Sequence, residues 1–224
     1  MSEVLQSKQA AAGALPGALG LRPAAFAALV MEGEAEEALG RVAGDDRLPK
    51  ALRRRMTQFD LMAARCIAGL AADGAAEEIV FASRYGNMAV TFDLLTQVVT
   101  DELLSPAKFS VSVHNAAAGA ASLIAKNRGG HTAISALGRS LAAGLTEAWI
   151  RIADGAPSVI FVYSDLPLMQ PYSPFDEPGP GVTLAIRFTA GSSADAHVVE
   201  NGREGAAALA RALAEGAEGV IWAP

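Results

Sequence analysis

Between residues 77 and 189, short β-leaning apolar runs alternate with stretches of helical spacing, and this alternation constrains the fold more than any other feature of the chain. Glu78–Ser83 (EIVFAS) is short and apolar, as a strand buried on both faces requires, and it ends in the turn-forming RYGN. The pattern then predicts a helix over Met88–Leu103, a strand over Lys108–Val113 and a helix over Asn115–Ala125. In that last helix Gly119 and the surrounding alanines permit close approach to a neighbouring backbone. After the turn KNRGG come a strand over His131–Leu137, a helix over Ser140–Ala153 and a strand over Ser158–Tyr163. The proline-rich loop Pro167–Gly181 precedes a strand over Val182–Thr189, a helix over Arg203–Glu215 and an edge strand at Val220–Trp222. Elements in this order give an α/β fold, a mostly parallel sheet covered by helices on both sides. Upstream, Leu52, Met56, Phe59, Met62, Ala63, Cys66 and Ile67 recur at helical spacing, so Pro49–Leu70 reads as one amphipathic helix. Residues 1–45, rich in Ala and Gly with Pro16 and Pro23, read as short helices and loops.

At 224 residues, 51% hydrophobic and 19% charged, the chain has enough apolar material for one substantial core, and residues 1–224 read as one domain. A net charge of −6 gives it no general attraction for nucleic acid or an anionic membrane, which leaves soluble proteins as the expected partners. The single cysteine excludes an internal disulfide, no apolar run has the length of a membrane span, and the start carries no secretory signal. The expected location is the cytoplasm.

Side chains that could carry chemistry are few. Ser140 stands at a strand-to-helix turn, where a nucleophile would be exposed, but the glycine-flanked GxSxG elbow is missing and helix capping is the favoured reading. Of His114, His131 and His197 none has a metal partner at HExxH or CxxC spacing, so no metal site is expected. His114 is weighed between a ring packed under the helix that Asn115 caps and a catalytic role, and His197 is placed in a solvated polar loop. Cys66 lies on the apolar stripe of its helix and reads as an inert core thiol. The run Arg53–Arg55 reads first as a solvated helix face and second as a dock for an acidic carrier protein.

Two stretches carry a family resemblance. SPAKFSVSVHNAAAG (Ser105–Gly119) and NRGGHTAISALGRS (Asn127–Ser140) resemble the segments that lead to the nucleophilic cysteine in the N-terminal half of β-ketoacyl synthases. The triple arginine with MTQFDLMAARC, and VFASRYGNMAVTFDLL, are similar to the chain-length factors of aryl polyene biosynthesis in particular. The resemblance is best over residues 77–165 and implies a thiolase-like fold, truncated relative to a full ketosynthase. Carried over, the cysteine position falls on Gly138, give or take one residue, and neither Leu137 nor Arg139 offers a nucleophile. The catalytic histidines of the family belong to a second half for which this chain lacks the length. The resemblance therefore implies a non-catalytic partner of an active β-ketoacyl synthase in acyl carrier protein-dependent elongation. It would use no cofactor, and the carrier protein would be met mainly through the partner. By position, Lys108, Phe109, Ser112, Val113 and His114 would face the shared acyl pocket. Lys108 replaces the bulky apolar residue common there. His131, Thr132, Ala133, Ile134, Ser135 and Ala136 would form the strand that pairs across the dimer axis. Two other readings stay open: a stand-alone thioesterase or acyltransferase working through Ser140 or His114, and a homodimeric acyl-binding scaffold.

Overall fold

The computed structural model describes residues 18–71, 76–191 and 196–224. Its strands are β1 (Leu19–Glu32), β2 (Ala35–Gly40), β3 (Glu78–Ala82), β4 (His131–Ile134), β5 (Ser158–Asp165), β6 (Gly181–Thr189), β7 (Ala196–Val198) and β8 (Gly219–Trp222). Its helices, numbered along the chain, are α1 (Lys50–Arg53), α2 (Gln58–Leu70), α3 (Met88–Val99), α4 (Pro106–Ser112), α5 (Ala116–Ile124), α6 (Ser140–Ala153) and α7 (Gly202–Ala214). The strands form one sheet in the order β4-β3-β5-β6-β1-β8-β7, with β2 paired to β1.

Alternation along the central strands sorts the core into two layers. Val80, Ala82, Phe161 and Tyr163 face α6 and α7, meeting Leu141, Leu145, Leu209 and Trp222. Ile79, Phe81, Ile160 and Val162 face α2 and α5, meeting Phe59, Met62, Ile67 and Ala121. A side chain on Gly144 would put its Cβ 2.6 Å from that of Ala82 and 2.7 Å from the Phe161 ring. Glycine therefore lets α6 lie directly on the sheet.

The sheet is mixed. β4-β3-β5 and β7-β8 pair in parallel, but β5-β6, β6-β1, β1-β8 and β1-β2 are antiparallel. Three of these four antiparallel pairs involve β1, which lies in the segment expected to be helices and loops. β1 is instead a strand of 14 residues that turns into β2. Alanine favours helices in isolation, but Ala27, Ala28, Leu29 and Val30 are all buried between helix layers, and that packing overrides local propensity.

Four other expectations are corrected. Pro49–Leu70 is two helices, broken where Thr57 and Asp60 form a capping box: Asp60 N–H donates to Thr57 Oγ (3.3 Å) and Thr57 N–H to Asp60 Oδ2 (3.0 Å). Lys108–Val113 is helical, not a strand, because Ser105 caps α4 by accepting from Lys108 N–H (3.3 Å) and Pro106 occupies its first turn. The strand at Val220–Trp222 lies inside the sheet between β1 and β7. The edge is β7, which places His197 in a strand and not in a loop.

Candidate functional site: the turn after β4 and the surface beside it

β4 ends at Ile134, three residues short of the expected strand, and the chain reverses into α6 through a short 3-10 turn at Leu137–Arg139. Leu137 adopts φ +52° and is 73% exposed, a left-handed conformation that costs a side-chain-bearing residue of this kind about 1 kcal/mol. A strained, outward-pointing residue between a strand and a long helix is the geometry of a nucleophile elbow. The residue displayed here is a leucine, with Gly138 half-buried beside it.

Ser140 locks this turn. Its Oγ accepts from Ala136 N–H (3.0 Å) and donates to the Leu137 carbonyl (2.8 Å). The hydroxyl is buried and committed to the turn, so it neither caps α6 nor stands exposed as a nucleophile. Ser135, just past β4, donates to the Arg84 carbonyl (3.0 Å) and ties the turn to the RYGN loop.

Against the inner side of the turn lies a charged cluster that no sequence motif announced. Asp165, buried at the end of β5, accepts from Ser83 Oγ (2.8 Å), Arg84 N–H (2.9 Å) and Tyr85 N–H (3.4 Å). Burial pushes its carboxyl above the usual range, although these donors and the Tyr163 hydroxyl pull the other way. Burial, and then Asp165, push the Tyr163 phenol up. Arg84 Nη1 pairs with Glu177 at 2.6 Å while its guanidinium stacks on the Tyr85 ring, 4.7 Å from the centroid. Arg203 and Asp176, only 7% and 9% exposed, form a two-pronged pair at 2.7 and 3.0 Å. Burial alone would raise Asp176, but Arg203 and two backbone N–H groups hold its carboxyl below the usual range. The hollow these groups leave beside Leu137 and Gly138 measures about 10 Å³.

The structure does not gather the expected partner-facing residues into one strand. Lys108 and Phe109 lie on the outer side of α4, where Lys108 pairs with Asp93 of α3, and the Ser112 hydroxyl turns back to the Phe109 carbonyl (2.9 Å). Val113 is exposed beyond the helix. The half-buried His114 ring rests against Gly86, whose Cβ would come within 3.2 Å of Cε1, and its buried Nε2 has no hydrogen-bond partner among the described residues. Asn115 makes no side-chain cap. On neighbouring elements Val98, Val99 (85% exposed) and Leu103 (99% exposed) near the end of α3 and Leu123 on α5 are also exposed apolar side chains.

β4 is the outer strand at the end of the sheet opposite β7. The carbonyls of Gly130 and Ile134 accept from Ile79 and Ser83 N–H, so the even-numbered positions face β3, leaving the backbone of His131 and Ala133 directed away from the sheet. Thr132 is held by Arg151 (3.0 Å), while Ser135 and Ala136 lie past the strand in the turn.

Elsewhere, Cys66 is fully buried and its thiol is pushed up by desolvation, as an inert core residue requires. Arg53 pairs with Asp45 (3.1 Å), and Arg54 and Arg55 are exposed. A separate cavity of about 290 Å³ opens between the starts of α2 and α3 and is lined by Met31, Phe59, Met88, Leu166 and Met169. Among the described residues no cluster of His, Cys, Asp or Glu could hold a metal ion, and no helix is long and apolar enough to cross a membrane.

The family model for the β-ketoacyl synthase N-terminal domain matches residues 32–219. The chain belongs to that family. This ketosynthase-type domain is similar to a chain of "Ketosynthase (ApeO) in Complex with its Chain Length Factor (ApeC)" from Xenorhabdus doucetiae, with 22% identity and a TM-score of 0.64 over 80% of this chain and 86% of that one. It is also similar to the ishigamide ketosynthase/chain length factor (16% identity, TM-score 0.60, 76% of this chain and 62% of that one). A β-ketoacyl synthase from Burkholderia phymatum shares the fold at 11% identity and a TM-score of 0.56, over 76% of this chain and 59% of that one. The chain thus spans less than two thirds of the latter two. These likenesses establish the thiolase-like fold with its mixed sheet. No curated protein matches the sequence.

Proposed function

We propose that this chain is a non-catalytic chain-length factor, which pairs with an active β-ketoacyl synthase and bounds the acyl pocket during acyl carrier protein-dependent elongation in aryl polyene or related polyketide biosynthesis. The observation that carries the reading is the turn after β4. It keeps the elbow shape at the start of a helix of 14 residues but displays Leu137 where a thiol would be needed. Claisen condensation requires a thiolate to hold the acyl group, and the one cysteine of the sequence is sealed inside the core. The backbone of β4 directed away from the sheet, which leads into the elbow, and the exposed apolar side chains of α3, α4 and α5 are surfaces that pairing with another chain would cover. Support also comes from the Xenorhabdus doucetiae complex, whose matched chain is close to this one in length.

Co-expression with an active β-ketoacyl synthase from the same organism tests the reading. A stable one-to-one complex should form, and condensation of malonyl and acyl thioesters should require both chains. Turnover by this chain alone, or a homodimer that ignores the ketosynthase, would refute it.

A further inference from the structure

The parallel strands β3 and β5 end at Ala82 and Asp165, and in α/β sheets the crevice beyond such carboxyl ends is where ligands are held. The cavity of about 290 Å³ opens there: Gly86 and Asn87 follow β3, Leu166 follows β5, and Phe59 and Met31 line it from α2 and β1. Its floor is sealed, since Phe59, Asn87 and Gly181 are buried, while Gln58, Ala89 and Met169 form an exposed rim. None of the described lining residues is charged, in a chain with 19% charged residues. Thr57 and Asn87, the polar side chains inside the rim, are already used. Thr57 Oγ donates to Asp60 Oδ2 (2.8 Å) and accepts from Asn87 Nδ2 (2.9 Å), which also donates to Asp60 Oδ2 (3.0 Å). The starts of α2 and α3, which would otherwise attract an anion, thus share the chain's own Asp60 carboxyl. What remains for a guest to meet is apolar: the Phe59 ring, edge-on to Phe81 with 6.0 Å between centroids, and the thioethers of Met31, Met88 and Met169.

We propose that this cavity binds a neutral, planar aromatic molecule of about two fused rings. Size sets the upper limit: an apolar protein cavity of ~150 Å³ holds one benzene ring, and this one has about twice that volume. The lining selects a ring over an alkyl chain, because polarisable thioether sulfur gains from contact with an aromatic edge and the flexible methionine side chain moulds itself to a flat guest. Charge is excluded, because a carboxylate or ammonium taken inside would lose its water and find no countercharge in the wall. The cavity plays no part in the proposed function, and its occupancy stands or falls separately.

The full chain is titrated with prodan, a neutral naphthalene dye whose emission moves to the blue in apolar surroundings. One saturable site per chain is expected. Acetylnaphthalene should displace the dye on the order of tenfold better than naphthoate, its charged counterpart of equal size. It should also outcompete octanol, a linear molecule of similar hydrophobicity. Ala89→Trp fills the cavity from its α3 rim and should abolish the site while keeping a native melting curve. If that variant does not fold, Met169→Trp fills the cavity from the loop after β5 and should do the same. Absence of a saturable site in the wild type, undiminished binding in the filled variant, or equal or stronger competition by naphthoate or octanol would each overturn the proposal.

Discussion

The middle of the sheet and its β4 margin are built on opposite terms. β5, β6 and the second half of β1 are sealed between two helix layers, with Phe161, Leu184, Ile186 and Leu29 fully buried. β4 has four residues, none of them buried, and its outward backbone faces no other strand among the described residues. The ends of α3 and α4 likewise display apolar side chains to the outside. Stability is concentrated where the chain completes itself, and the unfinished margin is where it would meet another molecule.

The largest effect should come from the sealed side. Asp176→Ala leaves Arg203 buried without its partner and should cost about 3–5 kcal/mol, read as a fall in melting temperature of ~10 °C. The Asp176 carboxyl is held below its unfolded value, so its contribution is complete above about pH 4 and is lost as pH falls through the folded value. The gap between variant and wild type should therefore close in acid, and a gap that stays constant down to low pH would contradict the pairing. Gly144→Ala should cost about 1–3 kcal/mol by pushing α6 off the sheet, measured by urea unfolding. Thr57→Ala removes one arm of the capping box and a bond from Asn87 Nδ2 (2.9 Å), for a loss of ~1 kcal/mol. On the open side, Leu103→Asp and Ala133→Pro should each change the stability of the isolated chain by less than about 0.5 kcal/mol. Either should nevertheless abolish co-purification with the ketosynthase; retained binding in both would remove this margin from the interface.

Legibility in the sequence followed the same division. β3, β5 and β6 could be read because two-sided burial writes continuous apolar runs such as IVFA and VIFVY. α2 and α6 could be read from their apolar stripes. β1 could not, since a strand of alanines sandwiched between helices carries a helix-former's composition. In α4 the alternation SVSV imitates a strand, while the decisive signal is the Ser105–Pro106 start just upstream. The turn between β4 and α6 lies where the sequence placed a strand-to-helix turn, with Leu137 in the left-handed conformation and Gly138 next to it. The charged cluster behind it was invisible because its members are far apart in the chain: Arg84 and Asp165 are separated by 81 positions and Asp176 and Arg203 by 27. Only the crossing of strands and the long loop after β5 brings them together.

The central claim, that this subunit shapes the pocket while another molecule holds the acyl group, is tested most directly by intact-mass analysis of both chains after the complex is incubated with an activated acyl thioester. The account predicts the acyl mass increment on the ketosynthase and an unchanged mass for this chain. An acyl adduct on this chain, mapped to any residue, would contradict it.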